Sequence, residues 1–205
     1  MSEPTYLNPH NDNTWKIRED FAKQIYQEIK QSPELPASNR PSKTVIKFRN
    51  WQRDGIESRV FVVSTKLLKY RLESARIGIL RISDQAGISD SFLDETQQII
   101  KGWLLKKGNI GHLQNLISAN SQDEPLIITP DGVVIDGNRR LLAINNLRVA
   151  ESDSKWDKAK VVILPGNKWL EEDAQFSDDF KDRAPLTDQD IDDLENTYQF
   201  IDDGK

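Results

Sequence analysis

The sequence has no cysteine among its 205 residues. Disulfide bonds, thiolate nucleophiles and zinc sites built on cysteine are therefore excluded. Histidine is also scarce, because only His10 and His112 could supply an imidazole. Two histidines so far apart in the sequence disfavour a Ser-His-Asp triad or a histidine-rich metal site, whereas a magnesium ion held by carboxylates stays open.

Long apolar runs are missing as well. The chain has no run of 18 apolar residues and no charged amino-terminal region followed by an apolar one, which a membrane span or a secretory signal would require. With 30% charged residues and a mean hydropathy of −0.64 the chain is polar for a globular protein, but five tryptophans and seven phenylalanines argue against wholesale disorder. We therefore expect a cytoplasmic protein without a membrane partner, folded in its centre and polar at its ends.

The net charge of −5 is unevenly distributed. Residues 171–205 contain 13 acidic and 3 basic residues, whereas residues 40–81 contain 11 basic and 3 acidic ones. The basic segment could attract a polyanion over about a Debye length, or it could be a solvated surface of long side chains. If the partner is DNA, the candidate contacts to its phosphates are Lys47, Arg49, Arg53, Lys69 and Arg71.

An amphipathic helix is predicted near the amino terminus. Ile17, Phe21, Ile25 and Ile29 recur every fourth residue, and a proline-rich stretch that predicts a linker follows the helix. The apolar face needs a partner, so a homodimer or a contact with another protein through this helix stays open.

The segment "TVIKFRNWQRDGIESRVFVVST" predicts a β-hairpin that turns at Asp54-Gly55 and returns at Val60–Val63. From Ser91 the pattern predicts two helices, the second capped by Asn109, and then a hairpin that Pro125 opens. A helix from about residue 138 to 149 and the strand "AKVVILP" complete the order, which indicates a compact α+β fold. We divide the chain into a helical arm with its linker (1–40), an α+β domain (41–168) and an acidic tail (169–205) that is partly helical or disordered.

The stretch "DGNRRLLA" places two arginines at the start of the last predicted helix. A helix amino terminus already presents bare N–H groups and about half a positive charge, so a cation there costs some tenths of a kcal/mol. Arg139 and Arg140 run against this preference unless an anion binds, since N–H groups, helix dipole and guanidinium groups would then face the same oxygens. Gly137 would let those oxygens approach the backbone closely.

An ordinary surface turn is the alternative. Asp136 could cap the helix and pair with one arginine, while Glu124 or Asp131 pairs with the other.

Placed after a proline-led apolar strand and a turn, "DGNRRLLA" resembles the Gly-x-x-Arg-x-x-Ala box of the ParB/sulfiredoxin superfamily. Gly137, Arg140 and Ala143 stand at its three positions, and Arg139 completes the usual arginine pair. Upstream, "VVSTKLLKYRLESARI" is similar to the family's opening strand and the segment after it, which ends here in Arg76. Over about residues 60–165 the resemblance implies a ParB/sulfiredoxin-like small mixed sheet packed with helices, preceded by the β-hairpin and the amino-terminal helical arm.

The resemblance also implies a nucleotide-binding domain of prokaryotic or phage origin that acts in DNA segregation, DNA modification or phage defence. ParB proteins bind CTP with Mg²⁺ through this box and other relatives bind ATP, so an NTPase or a nucleotide-dependent phosphotransferase is one expectation. The phosphate-binding residues that it implies are Gly137, Asn138, Arg139, Arg140 and Arg76. Asp136 would orient an arginine, hold Mg²⁺ through water or act as a base. Glu73 lies near the catalytic acid of the kinase branch, and the alternative is a surface glutamate that pairs with Arg71 or Arg76. The alternative is a non-catalytic DNA-binding or adaptor module that uses the basic segment 40–81.

The chain departs from the family's pattern in three places. Asn138 stands where ParB proteins usually have glutamate, and Leu142 replaces a common arginine. After the "VVILP" strand there is "WLEEDAQF" instead of Glu-Asn-x-x-Arg, where Glu171 or Glu172 could substitute. The sulfiredoxin reaction is excluded, because it needs a cysteine beside the arginine.

Overall fold

The computed structural model describes residues 12–31, 43–46, 56–71, 92–107, 109–151 and 153–180. Within these ranges the helices are α1 (Asp12–Gln31), α2 (Asp94–Lys107), α3 (Ile110–Asn120), α4 (Asn138–Glu151), α5 (Lys168–Glu172) and α6 (Ser177–Phe180). The strands are β1 (Lys43–Ile46), β2 (Ile56–Arg59), β3 (Phe61–Ser64), β4 (Lys69–Tyr70), β5 (Leu126–Ile128), β6 (Val133–Asp136) and β7 (Lys158–Ile163). None of the helices in the described ranges has the length and apolar character that crossing a membrane would take.

Five of the strands form one mixed sheet in the order β3-β7-β5-β6-β4. Strand β7 is antiparallel to β3 and parallel to β5, while β6 is antiparallel to β5 and parallel to β4. The central strand β5 is buried over its whole length, as are Val161, Val162 and Ile163 of β7, which is typical of strands covered on both faces. The predicted α+β class with a small mixed sheet is confirmed.

The hairpin prediction was partly wrong. Strand β1 pairs antiparallel with β2, from Lys43 opposite Arg59 to Ile46 opposite Ile56, and these two strands form a separate sheet. The segment Val60–Val63 is not the return strand, because β3 pairs with β7. Burial explains this outcome: Phe61 and Val63 lie in the main core, which the small hairpin could not offer them. The predicted Asp54-Gly55 turn lies outside the described residues.

The edges of the main sheet are closed by side chains. At the β4 edge, the amide of Gln97 accepts a hydrogen bond from the backbone N–H of Tyr70 (2.8 Å) and donates one to its carbonyl (2.9 Å), as a neighbouring strand would. At the β3 edge, Glu28 of α1 accepts a hydrogen bond from the backbone N–H of Ser64 (2.8 Å). Exposed strand edges invite pairing with other chains, so these contacts limit such association.

Helix α1 packs against its own chain. Ile25 and Ile29 are buried in the same core cluster as the sheet, whereas Ile17 is 42% exposed. The side-chain amide of Asn167 donates hydrogen bonds to the carbonyls of Ala22 (3.0 Å) and Pro130 (3.2 Å), which ties the middle of α1 to the β5–β6 turn. A protein partner or homodimer through this helix stays a prediction, but much of its apolar face is used within the chain.

The beginning of the acidic region also belongs to this core. Leu170 of α5 and Phe176 and Phe180 at α6 are at most 6% exposed. The division at residues 40 and 168 stays a prediction about how the chain is organised, and residues 181–205 lie outside the described ranges. A truncation meant to remove acidic charge alone must therefore begin after Phe180.

Candidate anion site at the start of helix α4

The site follows a tight hairpin between β5 and β6. Gly132, at a φ of 91°, donates its N–H to the carbonyl of Thr129 (3.0 Å), and the N–H of Val133 donates to the Thr129 hydroxyl oxygen (2.9 Å). Strand β6 ends at Asp136 and α4 begins at Asn138, so one residue makes the whole connection from strand to helix.

That residue, Gly137, is required by the chain itself. Its φ of 101° is one that side-chain-bearing residues rarely adopt, and an added Cβ would lie 2.5 Å from Leu126 Cδ2 and 3.1 Å from Arg140 Nη1. Its carbonyl accepts the first helical hydrogen bond, from the N–H of Leu141 at 2.8 Å. Backbone conformation and the contact with Leu126 already explain the glycine, so contact of Gly137 with a phosphate stays a prediction.

Arg140 is held on two sides. Its Nη1 donates to the carbonyl oxygen of Pro125 (3.2 Å), and its Nη2 donates to Glu124 Oε2 (2.6 Å). Asp136 Oδ2 lies 4.0 Å from Nη1. The Arg140 side chain is 19% exposed, Asp136 is 29% exposed and Glu124 is 77% exposed. The arginine therefore sits against the protein through a backbone carbonyl, while its strongest charged partner lies in water.

The alternative of an ordinary turn is thus partly realised, because Glu124 and Asp136 both lie against Arg140. Asp131, the third acid considered for this role, faces a different cation: its Oδ2 lies 3.4 Å from Arg18 Nη1 of α1.

Two other residues of the turn have structural contacts. Asn138 is 7% exposed, and its Oδ1 accepts a hydrogen bond from the backbone N–H of Arg71 at 3.2 Å. Arg139 is partly buried and interacts with another group of the protein, so it is not without a partner. Asn138 therefore joins the start of α4 to the end of β4 through an acceptor oxygen.

A second contact strengthens this connection. The Tyr70 hydroxyl oxygen accepts a hydrogen bond from Asn145 Nδ2 of α4 at 2.9 Å, and burial raises the pKa of Tyr70. The end of β4 is therefore bound to the first two turns of α4, and the chain leaves Arg71 next to the Gly137 turn. Of the residues predicted for this segment, Glu73 and Arg76 lie outside the described residues.

Among the candidate DNA contacts, Lys69 and Arg71 are described, while Lys47, Arg49 and Arg53 lie outside the described residues. Lys69 Nζ is 5.2 Å from the centre of the Phe21 ring and 3.7 Å from Asp94 Oδ1, and its side chain is 15% exposed. This lysine is therefore largely buried, with Phe21 of α1 and Asp94 of α2 beside its Nζ, and DNA contact by the segment 40–81 stays a prediction.

The arrangement of acidic side chains near the Gly137 turn limits the kind of magnesium site that the protein could form. In the described ranges, no group of three or more acidic or histidine side chains is arranged to hold a metal ion. Magnesium commonly binds through one or two carboxylates together with the phosphates of a nucleotide, and Asp136 would fit as such a carboxylate. A dedicated cage of protein ligands does not fit the described residues.

Sequence reasoning missed two features. The Pro125 carbonyl that holds Arg140 left no signal in the sequence, since every residue has a backbone carbonyl and residue type does not show where it points. The sequence also gave no signal for the two hydrogen bonds between the Gln97 side-chain amide and the backbone of Tyr70 at the β4 edge.

No protein-family model matches the chain, and no curated protein matches it. Among solved structures it is similar to one described as the C2221 form of a Pnob8-like ParB-N domain, with a TM-score of 0.30 and 15% identity. The similarity covers 71% of this chain and 47% of that one, so it spans about half the length of the solved chain. At this TM-score the similarity carries no argument about function.

Proposed function

We propose that the chain is a ParB-like nucleotide-binding domain in which Arg140 and the first turn of α4 bind the phosphates of CTP or ATP with Mg²⁺. One observation carries the proposal. The Arg140 guanidinium is fixed to the domain through the Pro125 carbonyl, while the Nη2 group is held by a carboxylate that is 77% exposed.

A fixed arginine with an exposed partner suits the binding of a phosphate. Holding Nη1 in place reduces the rotamer freedom that the side chain would lose on binding. The exposed pair with Glu124 contributes only about 0.2 to 1 kcal/mol, because water and salt compete with it. A phosphate oxygen can therefore replace the glutamate on Nη2 and accept a charge-assisted hydrogen bond there, while Nη1 stays on the Pro125 carbonyl.

The helix adds to the attraction. With 14 residues α4 is long enough for its peptide dipoles to give about half a positive charge at Asn138, and N–H groups in a first turn have no intrahelical acceptor. Glu124 and Asp136 are within 4.0 Å of Arg140 and are not on the helix. The two acids thus balance the positive charge of Arg140 and of the helix start, and a bound phosphate would supply the same charge.

Of the three roles considered for Asp136, its position best supports that of orienting Arg140. At 4.0 Å from Nη1 it lies on the Pro125 side of the guanidinium and opposes rotation of the arginine. Bound Mg²⁺ would neutralise phosphate charge, and Asp136, whose side chain is 29% exposed, is the acid that would face it. Nucleotide hydrolysis or phosphotransfer is part of the same proposal, as is a role in DNA segregation, DNA modification or phage defence.

Thermal unfolding with a nucleotide panel tests the proposal. CTP, ATP or GTP with Mg²⁺ at about 100 times Kd should stabilise the folded chain by about 2.7 kcal/mol and raise Tm by several degrees. Arg140→Ala should abolish the shift. Glu124→Gln is the matched control, because it removes the same ion pair but leaves the arginine, and it should keep the shift. If no nucleotide raises Tm of the wild type, or if Arg140→Ala leaves the shift intact, nucleotide binding at this site is refuted.

A further inference from the structure

We infer that Glu124 is an internal competitor of the ligand: its carboxylate occupies the position of a phosphate oxygen on Arg140 and must leave before the ligand binds. This inference rests on the proposed function and concerns how the affinity of that site is set. It identifies Glu124 as a residue that weakens binding, although it belongs to the site.

The geometry separates the two contacts of Arg140. The Pro125 carbonyl accepts from Nη1, and Glu124 Oε2 accepts a short, charge-assisted hydrogen bond from Nη2 at 2.6 Å. Because the two contacts use different nitrogens, Glu124 can leave while Arg140 keeps its position. The competitor is therefore removable without loss of the arginine's placement.

The exposure of Glu124 allows its side chain to move into solvent. Glu124 is 77% exposed and precedes β5, in the segment between α3 and the sheet. Its backbone is fixed nearby, since the Glu124 carbonyl accepts a hydrogen bond from Gln122 Nε2 at 2.9 Å. The side chain can thus rotate into water while the strand start stays in place, and this exchange costs the free energy of one exposed ion pair.

If all phosphate ligands displace the same ion pair, loss of that pair should change their affinities by a common factor. Every ligand that places a phosphate on Nη2 displaces the same ion pair, so the loss of that pair in Glu124→Gln should contribute the same factor to the affinity for each of them. General removal of negative charge acts differently, because its effect grows with the charge of the ligand. Asp123 supplies the control: it is the exposed neighbour of Glu124, and within the described part of the chain the acids paired with Arg140 are Glu124 and Asp136.

Isothermal titration calorimetry at about 150 mM salt, where the Debye length is about 8 Å, provides the test. The probes are CTP, ATP, pyrophosphate and tripolyphosphate, and the proteins are the wild type, Glu124→Gln and Asp123→Asn. Glu124→Gln should tighten binding about two- to fivefold, which corresponds to one exposed ion pair, and Asp123→Asn should change it less. The ratio of the two variants' affinities should be the same for pyrophosphate and tripolyphosphate.

A double variant tests the route of the effect. In the Arg140→Ala background, Glu124→Gln should restore no more binding than Asp123→Asn does, because the arginine through which Glu124 acts is gone. Equal affinities of wild type and Glu124→Gln, or equal gains in affinity for Glu124→Gln and Asp123→Asn, would refute competition by Glu124. Nucleotide binding at the site would be unaffected by that result. Absence of binding by every protein to every probe overturns the proposed function together with this inference.

Discussion

Two arginine–carboxylate pairs use the same chemistry in opposite surroundings. Between α1 and the β5–β6 turn, Arg18 and Asp131 lie 3.4 Å apart with side chains that are 12% and 1% exposed. At the start of α4, Arg140 and Glu124 lie 2.6 Å apart, and the glutamate is 77% exposed. The shorter pair is the more easily exchanged, because the cost of breaking an ion pair depends on whether water can replace the lost partner.

Further contacts follow the same division. The Arg18 guanidinium carbon lies 4.8 Å from the centre of the Phe92 ring, and the Thr129 hydroxyl donates a hydrogen bond to Asp131. Arg140, in contrast, has a backbone carbonyl behind it and an acid in solvent. The buried pair fixes α1 on the domain, and the exposed pair leaves a cation within reach of a ligand.

The largest effect is expected at the buried pair. Asp131→Ala should lower the free energy of unfolding by about 3 kcal/mol, because Arg18 and the Thr129 hydroxyl would lose their partner in a site that water scarcely reaches. Urea denaturation at pH 7 measures the change. A loss as small as that of an exposed ion pair would show that burial does not separate the two regions.

Next comes the connection between β6 and α4. Gly137→Ala should cost about 1 to 3 kcal/mol, since alanine is strained at a φ of 101° and its Cβ would clash with Leu126. Gly102→Ala is the control, because Gly102 lies within α2 with no atom within 4 Å of an added Cβ, and it should stabilise the fold by about 0.5 to 1 kcal/mol. Equal effects of the two substitutions in chemical denaturation would contradict the role assigned to Gly137.

The third effect depends on pH. A hydrogen bond from Lys30 of α1 lowers the pKa of Asp173 to about 2, and the pKa of Lys30 is raised in turn. A carboxyl group with a depressed pKa stabilises the fold above its unfolded value of 3.8 and loses that contribution as pH falls toward about 2.

Asp173→Asn should therefore lower Tm at pH 7, where Asp173 is charged in both states and the ion pair is intact. The difference in Tm between wild type and variant should shrink as pH falls from about 4 to 2. Melting curves by circular dichroism at a series of pH values measure it, with Asp123→Asn as an exposed control. A difference in Tm that does not change with pH would show that the ion pair with Lys30 is not its source.

The smallest effect is expected at the exposed pair. Glu124→Gln should change the free energy of unfolding by less than about 0.5 kcal/mol, because solvent already competes for both partners and glutamine can still accept a hydrogen bond from Arg140. Denaturation in parallel with Asp131→Ala makes the comparison direct. A loss above 1 kcal/mol would mean that Glu124 is a structural partner, which would also speak against its ready displacement.

Local patterns predicted the elements well. The residues after Ser91 gave helices, hairpin and strand close to their observed bounds, and Asn109 caps α3 by accepting a hydrogen bond from the N–H of His112 at 3.2 Å. The assignment of Val60–Val63 failed because alternation shows that a segment suits a strand but not which strand it will pair with. At the candidate site the sequence identified Gly137 and Arg140, whereas the contacts that define their roles come from Pro125, Leu126 and Glu124.

By itself the sequence determined the α+β class, the absence of thiol chemistry and the unusual presence of two arginines in the first turn of a helix. These properties follow from residue types and from spacings of a few positions along the chain. The tertiary structure alone decided that Asp131 faces Arg18, 113 positions away, while Glu124 faces Arg140. The physical reason is that the partner of a charged residue depends on which side chains packing brings together, and not on their spacing in the sequence. Packing of α1 on the sheet buries Asp131 with Arg18. Glu124, just before β5, stays in water, where a ligand can replace it.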